Sequence, residues 1–296
     1  MAKNSRIEWT HHTFNPWWGC VRVSPACKNC YAETFAHRLG LDLWGKRAAR
    51  QVAADSYWMQ PLRWDRAAGA AQMQARVFCA SMADVFENRR DLDASRQRLW
   101  GLIERTPNLT WLILTKRPEA IDQLVPWTTT WPGNIWLGTT AEDQRRAQLR
   151  IPELLRYPVK VHFVSCEPLL GPVDLSLWME GKRERIRWVI AGGESGHYAR
   201  PVHPYWLRQL RDQCAAHAVA FHFKQWGNWR PVTAARPLAH RTKVLPSASG
   251  APLIVANMGK KAAGRDLDGI EWNEVPEVAY GSRLRARGAS RRGEIL

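Results

Sequence analysis

Short apolar runs recur along the chain, each rich in β-branched or aromatic residues and each closing on a small or polar one. They fall at residues 7–10 (I-E-W-T), 77–81 (V-F-C-A-S), 111–115 (W-L-I-L-T), 135–139 (I-W-L-G-T), 161–165 (V-H-F-V-S), 188–192 (W-V-I-A-G) and 221–225 (F-H-F-K-Q). Runs this short, with little polar alternation, predict strands buried on both faces. Helix-like stretches lie between or after them at 31–39, 93–106, 143–156 and 204–216. From residue 77 onward the strand starts are 24 to 34 residues apart, each interval fitting one helical crossover between parallel strands. Seven strands and six crossovers predict an α/β chain folded as a partial (β/α) TIM-like barrel, in preference to a doubly wound sheet. Residues 236–280, with Gly and Pro scattered throughout, predict an irregular extension packed on the barrel. The expected division is a barrel over 1–235, the extension over 236–280 and a flexible basic tail over 281–296.

Charge adds a partner to this picture. The formal net charge is +16 and the pI about 10.1. Such an excess of Lys and Arg suits a polyanion, because each phosphate neutralised releases counterions. The last sixteen residues alone hold five arginines against one glutamate. A nucleic acid is the expected partner. Most of the seventeen tryptophans are expected in packing, and a minority in stacking on bases. The N-terminus lacks an apolar signal-peptide core, and no run approaches the roughly twenty apolar residues that span a bilayer. The expectation is a cytoplasmic protein with no membrane partner. There is no P-loop pattern and no H-E-x-x-H, and G-x-S-x-G fails at His197.

Candidate chemistry concentrates in G-C-V-R-V-S-P-A-C-K-N-C, residues 19–30, where Cys20, Cys27 and Cys30 crowd together without a fourth cysteine nearby. Three readings compete. Unmetallated thiols are the plainest, although Pro25, Lys28 and Asn29 among them suit an exposed loop better than a core. Zinc needs a closed set of four ligands, which His11, His12 or His37 would have to complete. A [4Fe–4S] cluster held by three thiolates leaves one iron open, and that iron can chelate S-adenosylmethionine (SAM) for reductive cleavage to a 5′-deoxyadenosyl radical. The order strand, three-Cys loop, helix and further βα units is what the third reading requires, and it is preferred.

The chain resembles the phage-associated three-Cys-motif family, whose members are similar to radical SAM enzymes. The matching segments include F-N-P-W-W-G-C, S-P-A-C-K-N-C-Y-A-E, S-M-A-D-V-F, L-T-K-R-P, L-G-T-T-A-E-D, F-V-S-C-E-P-L-L-G-P, V-I-A-G-G-E-S-G, F-K-Q-W-G and G-R-D-L-D-G. They extend from Ile7 to about Gly269, nearly the whole chain. The resemblance implies a barrel of the radical SAM type with Cys20, Cys27 and Cys30 as cluster ligands. It also implies an external electron donor and, as a possible partner, a second three-Cys-motif protein. More distantly the chain is similar to spore photoproduct lyase, which suggests DNA repair of that kind or base modification. It departs from the wider superfamily in spacing, with C-x6-C-x2-C where C-x3-C-x2-C is usual. The alternative is a non-catalytic nucleic-acid-binding protein with a structural iron–sulfur or zinc site.

In βα barrels the reactive face lies at the C-terminal ends of the strands. Residues at or just past those ends are therefore the further candidates. For cofactor binding they are Tyr31, Ser81, Asp84, Glu142, Glu167 and the turn Gly192, Gly193, Glu194 and Ser195, whose glycines let backbone N–H groups approach a ligand. A helix cap is the plain alternative for Asp84 and for Asp143 beside Glu142. Lys116, Arg117 and Arg200 are candidates for substrate phosphates, unless each pairs with one of those carboxylates. Cys166, as a hydrogen-atom donor, and Lys224 are the catalytic candidates, with core packing the alternative for Cys166.

Overall fold

The computed structural model describes residues 5, 7–181, 184–232, 241–246 and 253–278. Strands β1 (His12–Thr13) and β2 (Trp17–Trp18) precede helix α1 (Tyr31–Arg38), and β3 (Gln51–Val52), α2 (Asp55–Trp58) and α3 (Gln60–Ala70) follow it. The alternation then runs β4 (Ala75–Cys79), α4 (Asp93–Glu104), β5 (Leu109–Thr115), α5 (Ile121–Leu124), β6 (Ile135–Thr140) and α6 (Gln144–Leu155). It ends with β7 (Val161–Cys166), β8 (Ile186–Gly192), α7 (Pro204–Ala216) and β9 (Ala220–Gln225). β1, β4, β5, β6, β7, β8 and β9 pair in that order, all parallel, in one curled sheet. This is the expected partial (β/α) barrel.

The first strand differs from expectation. Residues 7–10 form a turn, in which the Thr10 amide donates to Ile7 O at 3.2 Å. The Thr10 hydroxyl is shared between His12 O and Arg76 O, so pairing with β4 starts only at His12. Trp9 is thereby freed to enter the barrel interior, where Phe78, Leu112, Trp136, Phe163, Trp188 and Ile190 surround it.

Strand alternation sorts most strand side chains between the barrel interior and the helix layer. In β7, Val161 and Phe163 face the interior while Val164 and Cys166 face the helices. In β9, Phe221 and Phe223 face the helices, and Ala220 faces the interior.

Within the described part of the extension, short regular elements stand among irregular stretches. β10 (Trp229–Pro231), β11 (Thr242–Leu245), β12 (Leu253–Asn257) and α8 (Gly259–Ala263) follow the barrel, and the three strands form an antiparallel sheet in the order β10-β12-β11. The apolar run L-I-V-A-N supplies its central strand, and the pairing crosses the boundary expected at residue 235. Residues 272–274 then run along β9: Phe223 N donates to Trp272 O, and Glu274 N to Phe221 O. This covers an edge that would otherwise present unpaired backbone. Residues 233–240 and 247–252, and the basic tail over 281–296, lie outside the described residues. No helix among the described residues is long and apolar enough to cross a membrane.

Two histidines lie buried in this sheet. His162 donates from Nε2 to Tyr157 O, and burial lowers its pKa from 6.5 to about 4. His222, on the interior side of β9, is lowered to about 3 by burial and then by Arg265, Lys224 and Arg76. Between pH 6.5 and those values the unfolded chain binds protons that the native chain does not, so stability falls as pH falls. Each histidine is expected to contribute up to about 1.4 kcal/mol per pH unit across that window. Urea midpoints measured from pH 7 to pH 4.5 should therefore drop, and drop less steeply for His162→Gln and His222→Gln. An unchanged slope in both variants would remove the histidines from the account.

Candidate functional site

The C-terminal strand ends open into a cavity of about 180 Å³ lined by Cys20, Cys27, Cys30, Tyr31, Ser81, Asp84, Lys116, Arg117, Glu167, Gly193, Glu194, Ser195 and Lys224. Its floor and walls include Phe78, Met82 and Leu114, with Thr140 and Ser165 at the strand ends.

The three-Cys segment enters at Gly19, whose φ of +112° and closeness to Leu43 O leave no room for a side chain. Its amide donates to Met82 O. Beyond it the segment is tied down at three places. Arg117 pairs with Asp84 at 2.8 Å, donates to Val21 O at 2.8 Å and lies 3.8 Å from the Cys20 sulfur. Glu142, fully buried, pairs with Arg150 and accepts from the Ala26 amide at 3.4 Å. Glu194 takes a two-pronged bond from Arg200 and accepts from Asn29 at 2.9 Å, while Arg200 also reaches Pro25 O.

All six cysteines are free thiols, and only the three of this segment line the cavity. Burial, with Asp84 adding to it, pushes Cys20 up to about 12 against the pull of Arg117. Burial also raises Cys30, although the amides of Glu33 and Ala32 at the start of α1 favour its thiolate. A metal that takes these sulfurs displaces their protons.

The donor set is soft. The cavity carboxylates are engaged, Asp84 by Arg117, Glu194 by Arg200, and Glu167 by Lys224 at 2.8 Å. No histidine among the described residues lines the cavity. His11 accepts from the Arg76 amide, His12 stacks on Trp64, and His37 sits 3.8 Å from Asp42. Nor do three His, Cys, Asp or Glu side chains among the described residues converge on one ion position. Three thiols line one cavity with no histidine among its described residues, a donor set that suits a [4Fe–4S] cluster taking one thiolate on each of three irons.

The profile of a family described as "Protein of unknown function (DUF5131)" matches residues 4–276. The chain belongs to the DUF5131 family. No curated protein matches it. Among solved structures, a spore photoproduct lyase complexed with dinucleoside spore photoproduct is 12% identical, with 86% of this chain and 70% of that chain covered and a TM-score of 0.44. A mutant of the same enzyme with bound AdoMet and dinucleoside spore photoproduct is 13% identical, over 83% and 68%, with a TM-score of 0.43.

The DUF5131 chain brings most of the sequence-derived candidates to the cavity, but not all. Cys166 is a correction: it is fully buried among helix-facing residues, because the parity of β7 sends Ser165 inward and Cys166 outward. Glu142 and Gly192 are not in the lining: Glu142 bonds to Arg150 and the Ala26 amide, and Gly192 packs against Gln225 and Glu167. Arg117 bonds to Asp84 and Val21 O, and Arg200 to Glu194 and Pro25 O, so each pairs with a carboxylate and with the backbone of the cysteine segment. Asp143 caps α6, accepting from Arg146 N. Asp84 caps no helix and holds Thr115 Oγ1, the Lys116 amide and Arg117. Lys116 has no ion-pair partner among the described residues and lines the cavity. Sequence reasoning missed Asn15, fully buried, which pairs with Ser81 and accepts from the Met82 amide, and Asn29. Each is a polar residue inside a quoted motif, and that position was the available signal.

Proposed function

We propose that this chain is a radical-SAM-type [4Fe–4S] enzyme acting on nucleic acid. The main support is the cavity at the strand ends, whose only thiols are Cys20, Cys27 and Cys30 and whose carboxylates are all neutralised. Those three cysteines would hold the cluster. When bound, the cluster and SAM supply one-electron C–S cleavage and hydrogen-atom abstraction.

The chain's own residues hold and shield that chemistry. Asp84 with Arg117, and Glu194 with Arg200, fix the thiol-bearing segment at both ends. Tyr31, whose hydroxyl donates to Ser81 O at 2.8 Å, closes one side, and Phe78, Met82 and Leu114 exclude water below. The Gly193–Ser195 turn is available for SAM, and Lys116 offers an uncompensated charge to a phosphate. Lys224, paired with Glu167, stands in the wall where a proton can be passed without net charge. The charge of +16 favours a polynucleotide substrate, and DNA is proposed ahead of RNA. Repair of a base lesion, of the photoproduct-lyase kind, comes first and base modification second, and either requires the target base to leave its stack. A reductant, and possible company from a three-Cys-motif partner, complete the proposal.

Anaerobic purification followed by iron, sulfide and 5′-deoxyadenosine assays tests it. Brown protein with about four irons per chain that cleaves SAM on reduction, faster with a polynucleotide, is the expected result. Colourless protein holding one zinc, or a cluster inert toward SAM, would establish the non-catalytic alternative instead.

A further inference from the structure

Helix α1 presents the opposite of the usual amphipathic arrangement. Its buried positions are Ala32, Ala36 and the Arg22-paired Glu33, while its large apolar side chains face outward. Tyr31, Phe35 and the capping Leu39 are 54%, 46% and 55% exposed. Their spacing of four places them in one row along the helix. The row begins at the cavity, which Tyr31 lines, and Trp18 flanks it with its ring 5.9 Å from that of Phe35. Single exposed apolar residues need no explanation, but a row leading out of a cavity does.

The charge carried by the same stretch of chain points to the occupant. Between Trp18 and Arg50 there are six Lys and Arg against two carboxylates, Glu33 and Asp42. Glu33 is held by Arg22, and Asp42 faces His37. Lys28, Arg38, Lys46 and Arg47 are exposed, with no ion-pair partner among the described residues. An apolar protein partner would have to bury these cations uncompensated. An unpaired strand of nucleic acid brings flat bases for the aromatic row and phosphates for the cations at once.

We propose that α1 is the entry track for single-stranded nucleic acid. Trp18, Phe35 and Leu39 pack against successive bases, the flanking cations hold the phosphates, and the strand delivers one base past Tyr31 to the cavity. This rests on the nucleic-acid reading of the site and adds the strand state and the path. A duplex keeps its bases stacked and gains only the phosphate contacts, so it binds more weakly.

Fluorescence anisotropy of the full chain with a labelled oligothymidylate of about 16 nucleotides, and with a duplex of equal length, tests the track. The single strand is expected to bind more tightly than the duplex. Phe35→Ala with Leu39→Ala should weaken it about tenfold or more, while Phe35→Trp keeps wild-type affinity. Lys28→Glu with Arg38→Glu is an independent surface variant that should also lose affinity and flatten the salt dependence. Melting temperature and iron content report whether each variant is folded. Wild-type affinity in both double variants overturns the track, as does a preference for duplex. A change in self-association or partner capture with unaltered oligonucleotide affinity overturns it in favour of a protein surface. If the wild-type chain binds no polynucleotide at all, the substrate class proposed above fails too.

Discussion

Cys30→Ala, prepared without oxygen, is expected to retain about a tenth or less of the wild-type iron and to form no 5′-deoxyadenosine. The same loss is expected for Cys20→Ala and Cys27→Ala, because no other thiol lines the cavity and every cavity carboxylate already has a cationic partner. Fold stability should change little at Cys20, because its half-buried thiol makes only long contacts in the apo chain, 3.5 Å to Val21 O and 3.8 Å to the Arg117 guanidinium. Cys166→Ala is the contrasting variant. Its side chain is wholly buried on the helix side of β7, so it should cost about 1 kcal/mol in a partly collapsible core while iron, sulfide and SAM cleavage remain. Full iron in Cys30→Ala would sink the ligand assignment. Lost turnover with full iron in Cys166→Ala would return that thiol to the reaction.

That contrast marks where the chain could be read and where it could not. The barrel was legible because parallel strands buried on both faces are continuous apolar runs, and six of the seven predicted strands lie where they were expected. The first was misplaced because Thr10 carries a hydroxyl that spends itself on two carbonyls, a tertiary bond to Arg76 O with no local signature. α3 went unnoticed because Pro61 reads as a breaker, yet it occupies the first turn, where no amide is needed. The small sheet was hidden because its partners, Trp229–Pro231 and Leu253–Asn257, lie more than twenty residues apart. At the site, residue types and strand ends were legible, since Cys20, Cys27, Cys30, Ser81, Asp84 and Glu194 all reach the cavity. Pairing was not. Whether Arg117 meets a phosphate or Asp84, 33 positions away, depends on β4 and β5 lying side by side. Parity was not legible either: a run buried on both faces does not say whether Ser165 or Cys166 looks inward.

The largest expected effect outside the thiols falls on Gly193. The turn after β8 runs so close to the turn after β9 that a Cβ on Gly193 would lie 2.0 Å from Trp226 O and 3.0 Å from a Val202 methyl. Gly227 faces the reciprocal problem, with φ at +77° and Glu194 O only 2.1 Å from its would-be Cβ. The two turns are joined by Gly193 N to Gln225 O and Asn228 N to Glu194 O, so neither backbone can move alone. Gly193→Ala is therefore expected to cost about 3 kcal/mol or more, at the upper end for overpacking, because the clash is with backbone. The strain should reach the thiols as well. Shifting Glu194 loosens its bonds to Asn29 and Arg200, the clamp on the cysteine segment, so reconstituted iron should fall along with the melting temperature. Gly101→Ala is the control: that glycine lies inside α4 with open space where a methyl would go, and alanine should stabilise the chain by about 0.5–1 kcal/mol. Thermal melts and iron assays on the two variants would expose the error. If Gly193→Ala melts with the wild type and loads iron fully, the turns are not locked together and Glu194 does not hold the cysteine segment in place.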